Sequence, residues 1–417
     1  MTLGAEMPEG VRFVGPEADV VPKWSGPDFP TDADLDSCVA CGLCLPHCPT
    51  YRLTGEESAS PRGRIAAMRT VAEGRADVDP TFVSFMDLCL SCRACEDVCP
   101  SHVPFGRMME RARVQAEPLR SRRARFLRWL GLEVVLPHAW LLSLATALAP
   151  VARLFMPARL RALTPRMPAI HWRLPTVTEP DGKDRGTVTL LTGCVQDRWF
   201  REVNLGTIRV LARNGWRVVV PRTQTCCGAL SAHHGRLDAA RRMARRNLAA
   251  FAGTSVVVVN AAGCSAHVKE YGELVEGAAL PAKELTEFLH ETGIEEPPAN
   301  PGFGCVAYHD PCHALRAQHI RAQPRELLSQ VPGLEVVEVP DGDRCCGAAG
   351  LYNVLEPELS GELMRQKAEA ISSTGAEVVA SANPGCSMQI AAGLRSLGRE
   401  VPVLHPVEIL DRAYRGG

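Results

Sequence analysis

The sequence shows no excess of charge of either sign and no apolar segment at its start. Its 417 residues carry 46 Lys and Arg against 47 Asp and Glu, a formal net charge of −1. This balance gives no electrostatic reason to expect a nucleic-acid partner. The first residues, MTLGAEMPEGVRF, lack the basic start and the apolar run of a signal peptide. We therefore expect a cytoplasmic protein, whose thiols stay reduced.

Signatures of nucleotide and flavin binding are also missing. The chain contains no G-x-G-x-x-G after a strand-like run, no Walker A sequence and no G-x-S-x-G. We therefore expect neither a flavin nor a nicotinamide cofactor on this chain. Any substrate chemistry that needs one would lie on another polypeptide.

Cysteine, by contrast, is abundant, with 17 residues. In a reducing compartment, clustered cysteines more often bind metal than form disulfides. Cysteine distribution and composition divide the chain into five segments. They are an extended, poorly ordered lead-in over 1–30, a segment with eight cysteines over 31–117, a connector over 118–184, and two cysteine-rich halves over 185–300 and 301–417.

The eight N-terminal cysteines stand in two runs, CVACGLCLPHCP and CLSCRACEDVCP. Both have the C-x2-C-x2-C-x3-C-P spacing of bacterial ferredoxins, in which the fourth cysteine binds the other cluster. Three thiolates of one short loop can reach three corners of one iron–sulfur cube, whereas the fourth lies too far along the chain. We predict two 4Fe-4S clusters, one held by Cys38, Cys41, Cys44 and Cys99, the other by Cys89, Cys92, Cys95 and Cys48.

Structural zinc is the alternative for these runs, because zinc also binds C-x2-C pairs. Zinc sites use four ligands, usually as two separated pairs, so two four-cysteine runs that each end in proline fit zinc poorly. Arg62 and Arg64, in SPRGR between the runs, could offset the negative charge of thiolate-ligated clusters or bind a partner. A solvated turn is the other interpretation of these arginines.

The two cysteine-rich halves, residues 185–300 and 301–417, repeat each other. Short apolar runs alternate with amphipathic stretches such as 235–252 and 357–372, which we predict to be helices. This alternation predicts a parallel, doubly wound sheet in each half. The fold class is therefore mixed: a helical ferredoxin-like two-cluster domain followed by two repeated α/β domains with parallel sheets.

Matching cysteines of the two halves lie 118, 119 and 122 residues apart, and each follows a strand-like run. Ligands of parallel sheets bind outside the carboxyl ends of the strands, so these cysteines can converge and hold a further iron–sulfur cluster in each half. The alternative is a core filled by reduced cysteines. The candidate ligands are Cys194, Cys226, Cys227 and Cys264 in the first half and Cys312, Cys345, Cys346 and Cys386 in the second. The remaining Cys305 is predicted to be a small core residue.

The halves resemble the cysteine-rich CCG domains of heterodisulfide reductase subunits, whose pattern ends in C-x-x-C. Here Cys264 is followed by Ser-Ala-His267 and Cys386 by Ser-Met-Gln389, so one thiolate is missing in each half. Four thiolates remain for a cluster simpler than the unusual one associated with that pattern. Whether His267 is a ligand stays open, since a histidine beside a site is more often a hydrogen-bonding neighbour.

From Cys38 to about residue 410 the chain resembles the iron–sulfur subunits of glycolate oxidase. The resemblance rests on CVACGLCLPHCPTY, SPRGRI, CLSCRACEDVCPS, both CCG segments, AAGCSAHVKEYG and NPGC. It implies flavoprotein partner subunits that oxidise a 2-hydroxy acid, with this chain passing electrons to a quinone or another acceptor. Iron–sulfur subunits for lactate and glycerol-3-phosphate oxidation share parts of the layout. A heterodisulfide-reductase-like enzyme and a zinc scaffold are the remaining alternatives.

The connector joins a basic stretch, LRSRRARFLR at 119–128, to an uncharged one from Val134 to Ala152. Pro137 and Pro150 leave room between them for a helix of about 12 residues, which is roughly 18 Å long. The hydrocarbon core of a membrane is roughly 30 Å thick, so this helix is too short to cross it. A membrane span is thus the least favoured interpretation. A helix packed on this protein or on a partner, or an interfacial helix giving peripheral contact with the cytoplasmic face of a membrane, both remain open.

Overall fold

The computed structural model describes residues 23–155, 161 and 173–416. Most of the predicted lead-in, residues 1–22, lies outside the described residues. Its last part is held against the rest of the chain: the Trp24 ring packs edge to face on Phe82, with centroids 6.0 Å apart, and Asp28 forms a salt bridge with Arg241. The expectation of a poorly ordered lead-in is therefore wrong for residues 23–30.

The N-terminal region is built from short helices around a methionine-rich core. The side chains of Ser60 and Asp79 cap two of these helices, and a proline follows each cap at the first helical position. Met68, Met86 and Met108 are fully buried between the helices. The helices are α1 (Asp32–Asp36), α2 (Pro49–Thr54), α3 (Pro61–Ala72), α4 (Pro80–Asp87), α5 (Ala94–Asp97) and α6 (Phe105–Ala116), with 3-10 turns at Leu45–His47, Glu57–Ala59 and Glu117–Leu119.

The connector forms two helices, α7 (Arg122–Trp129) and α8 (Ala139–Phe155), joined through a π-helical stretch at Leu130–Val135. Pro150 lies inside α8, so the prediction of a helix ending before it is wrong. A proline removes one backbone hydrogen bond and can bend a helix without ending it. Within the described ranges no single helix is long and apolar enough to cross a membrane. The pair Arg122–Val135 and Ala139–Ala152 passes that test only together, with a bend of 116° between them.

The first half contains a five-stranded sheet with the order β1-β3-β2-β4-β5. The last four strands of this order are parallel, as predicted, whereas β1 pairs antiparallel with β3 and comes from the segment predicted as connector. The strands are β1 (Val177–Thr178), β2 (Gly186–Leu191), β3 (Trp216–Val219), β4 (Val257–Val259) and β5 (Ala282–Glu284). The helices are α9 (Val195–Trp199), α10 (Arg201–Arg213), α11 (Ala229–His233), α12 (Leu237–Ala250), α13 (Ala262–Lys269), α14 (Tyr271–Leu274) and α15 (Leu285–Thr292).

The second half repeats this arrangement in a parallel sheet of four strands, with the order β7-β6-β8-β9. The order matches β3-β2-β4-β5, and the predicted helices at 235–252 and 357–372 are present as α12 and α19. The strands are β6 (Cys305–His309), β7 (Glu335–Glu338), β8 (Val378–Ser381) and β9 (Val403–Leu404). The helices are α16 (Cys312–Leu315), α17 (Ala322–Leu328), α18 (Tyr352–Leu355), α19 (Pro357–Ser373), α20 (Pro384–Ser396) and α21 (Pro406–Arg415).

The two halves share one hydrophobic core and are tied together by the C-terminal helix. Leu190 of the first sheet, Val306 of the second and Leu410 of α21 belong to the same buried cluster. Helix α21 packs on α10 of the first half, where Arg209 Nη2 donates to Asp411 Oδ2 at 2.7 Å. The halves are thus repeats in sequence that stabilise each other across a common interior.

Cys305 is only partly buried, so its prediction as a core residue is wrong. It is the first residue of β6, at the end of the strand that lies nearer the surface. Its backbone N–H donates to Glu377 Oε1 at 3.1 Å, and its partner across the ladder is Glu335. The apolar run CVAY enters the core only from Val306 onwards.

Candidate metal centres

The two N-terminal cysteine runs fold into loops with the same backbone. In each run the second and fourth residues after the first cysteine have positive φ: 55° at Ala40 and 84° at Gly42, then 51° at Ser91 and 60° at Arg93. Such conformations cost about 1–3 kcal/mol at non-glycine residues and persist where a binding site requires them. In the second loop the N–H of Ser91 points at Cys89 Sγ, 3.3 Å away. The second loop therefore wraps around one of its own sulfur atoms, and the first loop has positive φ at the matching positions.

The first N-terminal site is a cavity lined by the four cysteines predicted for one cluster and also by Cys95, which is predicted for the other. Cys38, Cys41 and Cys44 come from the loop after α1, and Cys99 comes from the chain that follows α5. The guanidinium of Arg62 closes one side of this cavity, with Nη1 3.4 Å from the carbonyl oxygen of Ala40.

The second N-terminal site gathers Cys89, Cys92 and Cys95 with Cys48 of the other run. Burial, followed by neighbouring thiols that include Cys48 and Cys89, raises the pKa of Cys92 and of Cys95. The chain thus brings Cys48 to the cysteines of the later run, as Cys99 is brought to those of the earlier one. The assignment of ligands to individual clusters stays a prediction, and the fold places its members together.

The spacing of these sulfur atoms fits zinc poorly. Around one tetrahedral zinc ion, with Zn–S bonds of about 2.3 Å, thiolates lie about 3.8 Å from one another. Within the described chain, none of the eight N-terminal cysteines belongs to a group of three ligand atoms within 4.8 Å of one another. Such spacing leaves room for several metal atoms, each bound by a different thiolate.

Arg64 is a buried cation beside the second N-terminal site. Its side chain is 1% exposed, Nε donates to Phe85 O at 2.8 Å and Nη2 donates to Thr50 Oγ1 at 3.2 Å. The same hydroxyl lies 3.3 Å from Cys48 Sγ. The solvated turn considered for this arginine is therefore wrong, because Arg64 is covered by the helices that hold the cysteines.

Arg113 of α6 is a second buried cation at this site, which sequence reasoning missed. Its Nη2 donates to the carbonyl oxygens of Met86 and Cys89 at 2.9 and 2.5 Å, and its Nη1 donates to Ser91 Oγ at 2.9 Å and to His233 O at 2.7 Å. These acceptors are all neutral. Asp87 lies near enough to favour the charged guanidinium, but it is itself paired with Arg120, and a buried arginine without a counter-charge of its own costs several kcal/mol. An anionic group held by the adjacent thiolates would supply that counter-charge, so the residues present fit an iron–sulfur cluster.

In the first half, the cysteines meet at the carboxyl ends of adjacent parallel strands. Cys194 Sγ lies 3.3 Å from Cys226 Sγ, and Cys227 Sγ lies 3.1 Å from Cys264 Sγ. Gly228 follows the vicinal pair with φ of 93°, and a Cβ there would come within 3.3 Å of the α12 backbone. Only glycine allows the pair to approach α12 so closely.

The second half repeats the arrangement with Cys312 beside Cys345 and Cys346 beside Cys386. The hydrogen bond to the neighbouring thiol, and then burial, raises the pKa of Cys194 and of Cys312. Crowded, buried thiols of this kind ionise when a metal binds them. Both quartets predicted from the sequence are therefore assembled, in an environment that favours metal over free thiolate.

A cavity of about 390 Å³ connects three of the four sites. It is lined by all eight cysteines of the two halves and by Cys89 and Cys92 of the second N-terminal site. A smaller cleft also places Cys92 beside Cys312 and Cys345. Cys95, which is predicted for the second N-terminal site, also lines the cavity of the first, so each of the four sites has a neighbouring site.

Three histidines stand at the junction of the N-terminal region and the two halves. The ring of His233 lies 6.1 Å from that of His267 and 5.2 Å from that of His313, and His233 Nδ1 lies 2.8 Å from Glu110 Oε1. Burial lowers the pKa of each of these histidines to about 4. The rings are therefore neutral at physiological pH. Sequence reasoning missed His233, His313 and Glu110, although His313 directly follows a candidate ligand.

His267, left open as a ligand, is buried with no partner for Nε2. Its ring packs edge to face on Tyr271, with centroids 5.7 Å apart. In the described part of the chain it joins no group of three ligand atoms within 4.8 Å. Its position is that of a neighbour of the first-half cysteines.

The comparison with known proteins agrees with this organisation of the chain. Residues 34–103 match the 4Fe-4S dicluster domain family, and residues 188–269 and 306–391 match the cysteine-rich CCG domain family. The chain is 33% identical to the probable glycolate oxidase iron-sulfur subunit of Bacillus subtilis, over 92% of this chain and 94% of that protein. It is 33% identical to the glycolate oxidase iron-sulfur subunit of Escherichia coli, over 92% and 95%. Lactate utilization protein A of Oceanobacillus iheyensis is 32% identical over 55% of this chain and 98% of that protein.

The prediction that the fourth cysteine of each run binds the cluster of the other run can be tested by combining two substitutions. We expect Cys48→Ser and Cys92→Ser to perturb the same EPR signal of anaerobically purified protein, so that the double variant resembles either single one. Combining Cys48→Ser with Cys41→Ser should perturb both N-terminal signals, and the unsubstituted protein should contain at least about eight irons. The cross-ligation is refuted if Cys48→Ser and Cys41→Ser act on one and the same signal.

The buried arginines should set the potential of the second N-terminal site. Replacing Arg64 or Arg113 by Met removes a buried positive charge and should lower the midpoint potential of one cluster by tens of millivolts, roughly 40 mV for each kcal/mol of lost stabilisation. Arg107→Met is the matched control, because Arg107 is about a third exposed and is already paired with Asp34. Equal potentials in redox titrations of all three variants would show that the arginines serve packing alone.

Proposed function

The chain belongs to the family of glycolate oxidase iron–sulfur subunits, and from that premise we propose that it carries electrons within a flavin-dependent 2-hydroxy-acid dehydrogenase. Partner flavoprotein subunits would oxidise the substrate, with glycolate to glyoxylate as the first reaction to test. A quinone or another carrier would receive the electrons. The observation that carries the proposal is the presence of four neighbouring cysteine sites, three of which share one cavity.

The residues of this chain have three tasks in that scheme. The thiols would hold the clusters, which supply one-electron transfer when bound. Arg64 and Arg113 would balance negative charge in the interior. The shared cavity is lined largely by apolar side chains such as Leu136, Leu230 and Leu351, which give the cysteines a surrounding of low polarity.

A flavoprotein is required because oxidation of a 2-hydroxy acid removes two electrons, whereas iron–sulfur clusters accept them singly. A flavin converts between the two regimes. Lactate is the second substrate to test, since the chain is also similar to lactate utilization proteins. Glycerol-3-phosphate remains a further candidate, on the resemblance of sequence layout alone.

We further propose that α7 and α8 lie on an anionic membrane surface. Exposed aromatic and aliphatic side chains cover this part of the chain, and Trp140 is 67% exposed. The arginines at 122, 123 and 125 are exposed on α7 next to it. Tryptophan beside arginine is the composition of an interfacial segment, which would bring the protein to a quinone dissolved in the bilayer. The exposed apolar residues are Phe126, Leu127, Trp129, Leu130, Trp140, Leu144, Leu148 and Val151.

The isolated chain should not oxidise glycolate or D-lactate, and turnover should appear only when a flavoprotein partner is co-expressed. The measurement follows reduction of a quinone acceptor with and without the candidate flavoproteins. In the complete complex, Cys38→Ser or Cys89→Ser should reduce quinone turnover by at least about tenfold, because each removes a predicted ligand of one of the four neighbouring sites. Oxidation of the hydroxy acid by the flavin-free chain alone would overturn the subunit proposal. Reduction of a disulfide substrate by it would favour the heterodisulfide-reductase-like alternative.

Membrane contact can be tested with vesicles of anionic and of neutral lipid. Replacing Arg122, Arg123 and Arg125 by Gln should weaken binding to anionic vesicles by about two orders of magnitude, at about 1 kcal/mol for each arginine near the surface. The matched control replaces Arg344, Arg365 and Arg399 of the second half by Gln. It changes the net charge by the same amount, away from α7 and α8. Binding of the unsubstituted protein that is no stronger to anionic than to neutral vesicles would contradict the proposal.

A further inference from the structure

His309, the last residue of β6, is a buried histidine whose ring has no partner. It is 0% exposed, and neither Nδ1 nor Nε2 forms a hydrogen bond within the described structure. Buried polar groups in proteins almost always have a partner, and an unsatisfied one costs about 1–3 kcal/mol. In the described structure, both ring nitrogens are therefore free to accept a metal atom in place of a hydrogen-bond partner.

The unpartnered ring lies among candidate ligands of the second half. One ring nitrogen of His309, Cys346 Sγ and Cys386 Sγ all lie within 4.8 Å of one another. A nitrogen and a sulfur bound to one tetrahedral metal atom lie about 3.6 Å apart, given metal–nitrogen and metal–sulfur bonds of about 2.0–2.1 and 2.3 Å. The three atoms are thus close enough together to share one metal atom. Imidazole nitrogen is a suitable ligand for iron.

The first half shows that this histidine is not needed to build the strand. His309 stands three residues before Cys312, and the residue three positions before Cys194 is Leu191. Leu191 is 1% exposed in β2 and packs in the apolar core. A leucine thus meets the packing demand at this position, so the imidazole of His309 needs a chemical explanation.

We infer that His309 binds one iron atom of the cluster in the second-half site, whose other protein ligands are the four thiolates there. The site is then a mixed imidazole and thiolate centre, whereas the first-half site has thiolates alone. The inference rests on the proposed binding of an iron–sulfur cluster by this quartet. It concerns a ligand that the sequence patterns do not include, because the histidine precedes the first cysteine of the half.

A neutral imidazole in place of further negative charge raises the reduction potential of an iron–sulfur centre. Lys367 acts in the same direction: it is 3% exposed, and its Nζ donates to the carbonyl oxygens of Asp341 and Gly342 at 3.2 and 3.0 Å, just before Cys345. Asn247 of α12 is the neutral residue that lies next to Cys226 in the first half, with Nδ2 donating to Cys226 O at 3.1 Å. With Lys367 beside the second-half site and the neutral Asn247 beside the first-half site, we expect the second-half site to have the higher reduction potential of the two.

The test is pulsed EPR of the full chain, purified without oxygen and partly reduced, from cells grown with ¹⁵N-labelled histidine. We expect a nitrogen hyperfine coupling of the size given by a directly bound imidazole, which changes with the label. His309→Leu, which copies the first half, should abolish this coupling and leave the N-terminal signals intact. His267→Gln is the matched control, because Gln389 occupies the corresponding position in the second half, and it should leave the coupling unchanged.

A second variant distinguishes loss of the imidazole ligand from loss of the whole cluster as the reason why the coupling disappears in His309→Leu. His309→Cys should retain the iron content and lower the midpoint potential of the second-half site, since a thiolate replaces a neutral ligand. The inference is overturned if the second-half site contains iron but gives no coupling sensitive to ¹⁵N-histidine, or if the coupling survives in His309→Leu. It is equally overturned if Cys312→Ser and Cys346→Ser leave both iron content and spectra unchanged. Flavoprotein-dependent turnover, measured on the same samples, shows separately whether the proposed function holds.

Discussion

Thiolates placed close together in a protein interior repel one another and lose their hydration, so they need positive charge beside them. Much of this molecule can be understood from that constraint. Arg64 and Arg113 are buried against the second N-terminal site with only neutral hydrogen-bond acceptors. Lys367 is buried near the quartet of the second half. Without an anionic group at these sites the cations would destabilise the fold, and without the cations the thiolates would.

The same constraint explains how the helical region and the two halves are joined. Arg113 donates to the carbonyl oxygens of Met86 and Cys89 in the N-terminal region and of His233 in the first half. One buried cation thereby holds the second N-terminal site against the cavity shared by the halves. The three neutral histidines at this junction fill space between the sites without adding charge. The contact is polar and specific, which fixes the distance between neighbouring sites.

The two halves are alike in backbone and different in electrostatics. Both sheets have the same order of their four parallel strands and place four cysteines at the carboxyl ends of the strands. Around the first quartet stand neutral groups, such as Asn247 and Tyr271, whose hydroxyl donates to Cys227 O at 2.8 Å. Around the second stand His309 and Lys367. Two repeats with the same backbone arrangement but different side chains around the cysteines can hold two centres of unequal reduction potential.

The sequence by itself determined the features that depend on local spacing. The two C-x2-C-x2-C-x3-C-P runs, the repeat of the halves and the alternation of strands and helices led to the eight predicted N-terminal ligands, the two quartets and the parallel sheets, because each rests on a fixed interval along the chain. Tertiary structure decided what depends on contacts between distant segments. It buried Arg113, drew β1 into the first sheet, left Cys305 partly exposed and placed His309 beside Cys346 and Cys386. No interval links His309 to Cys386: the two meet because β6 and β8 are neighbours in a parallel sheet, and only the folded chain shows which side chains share that edge.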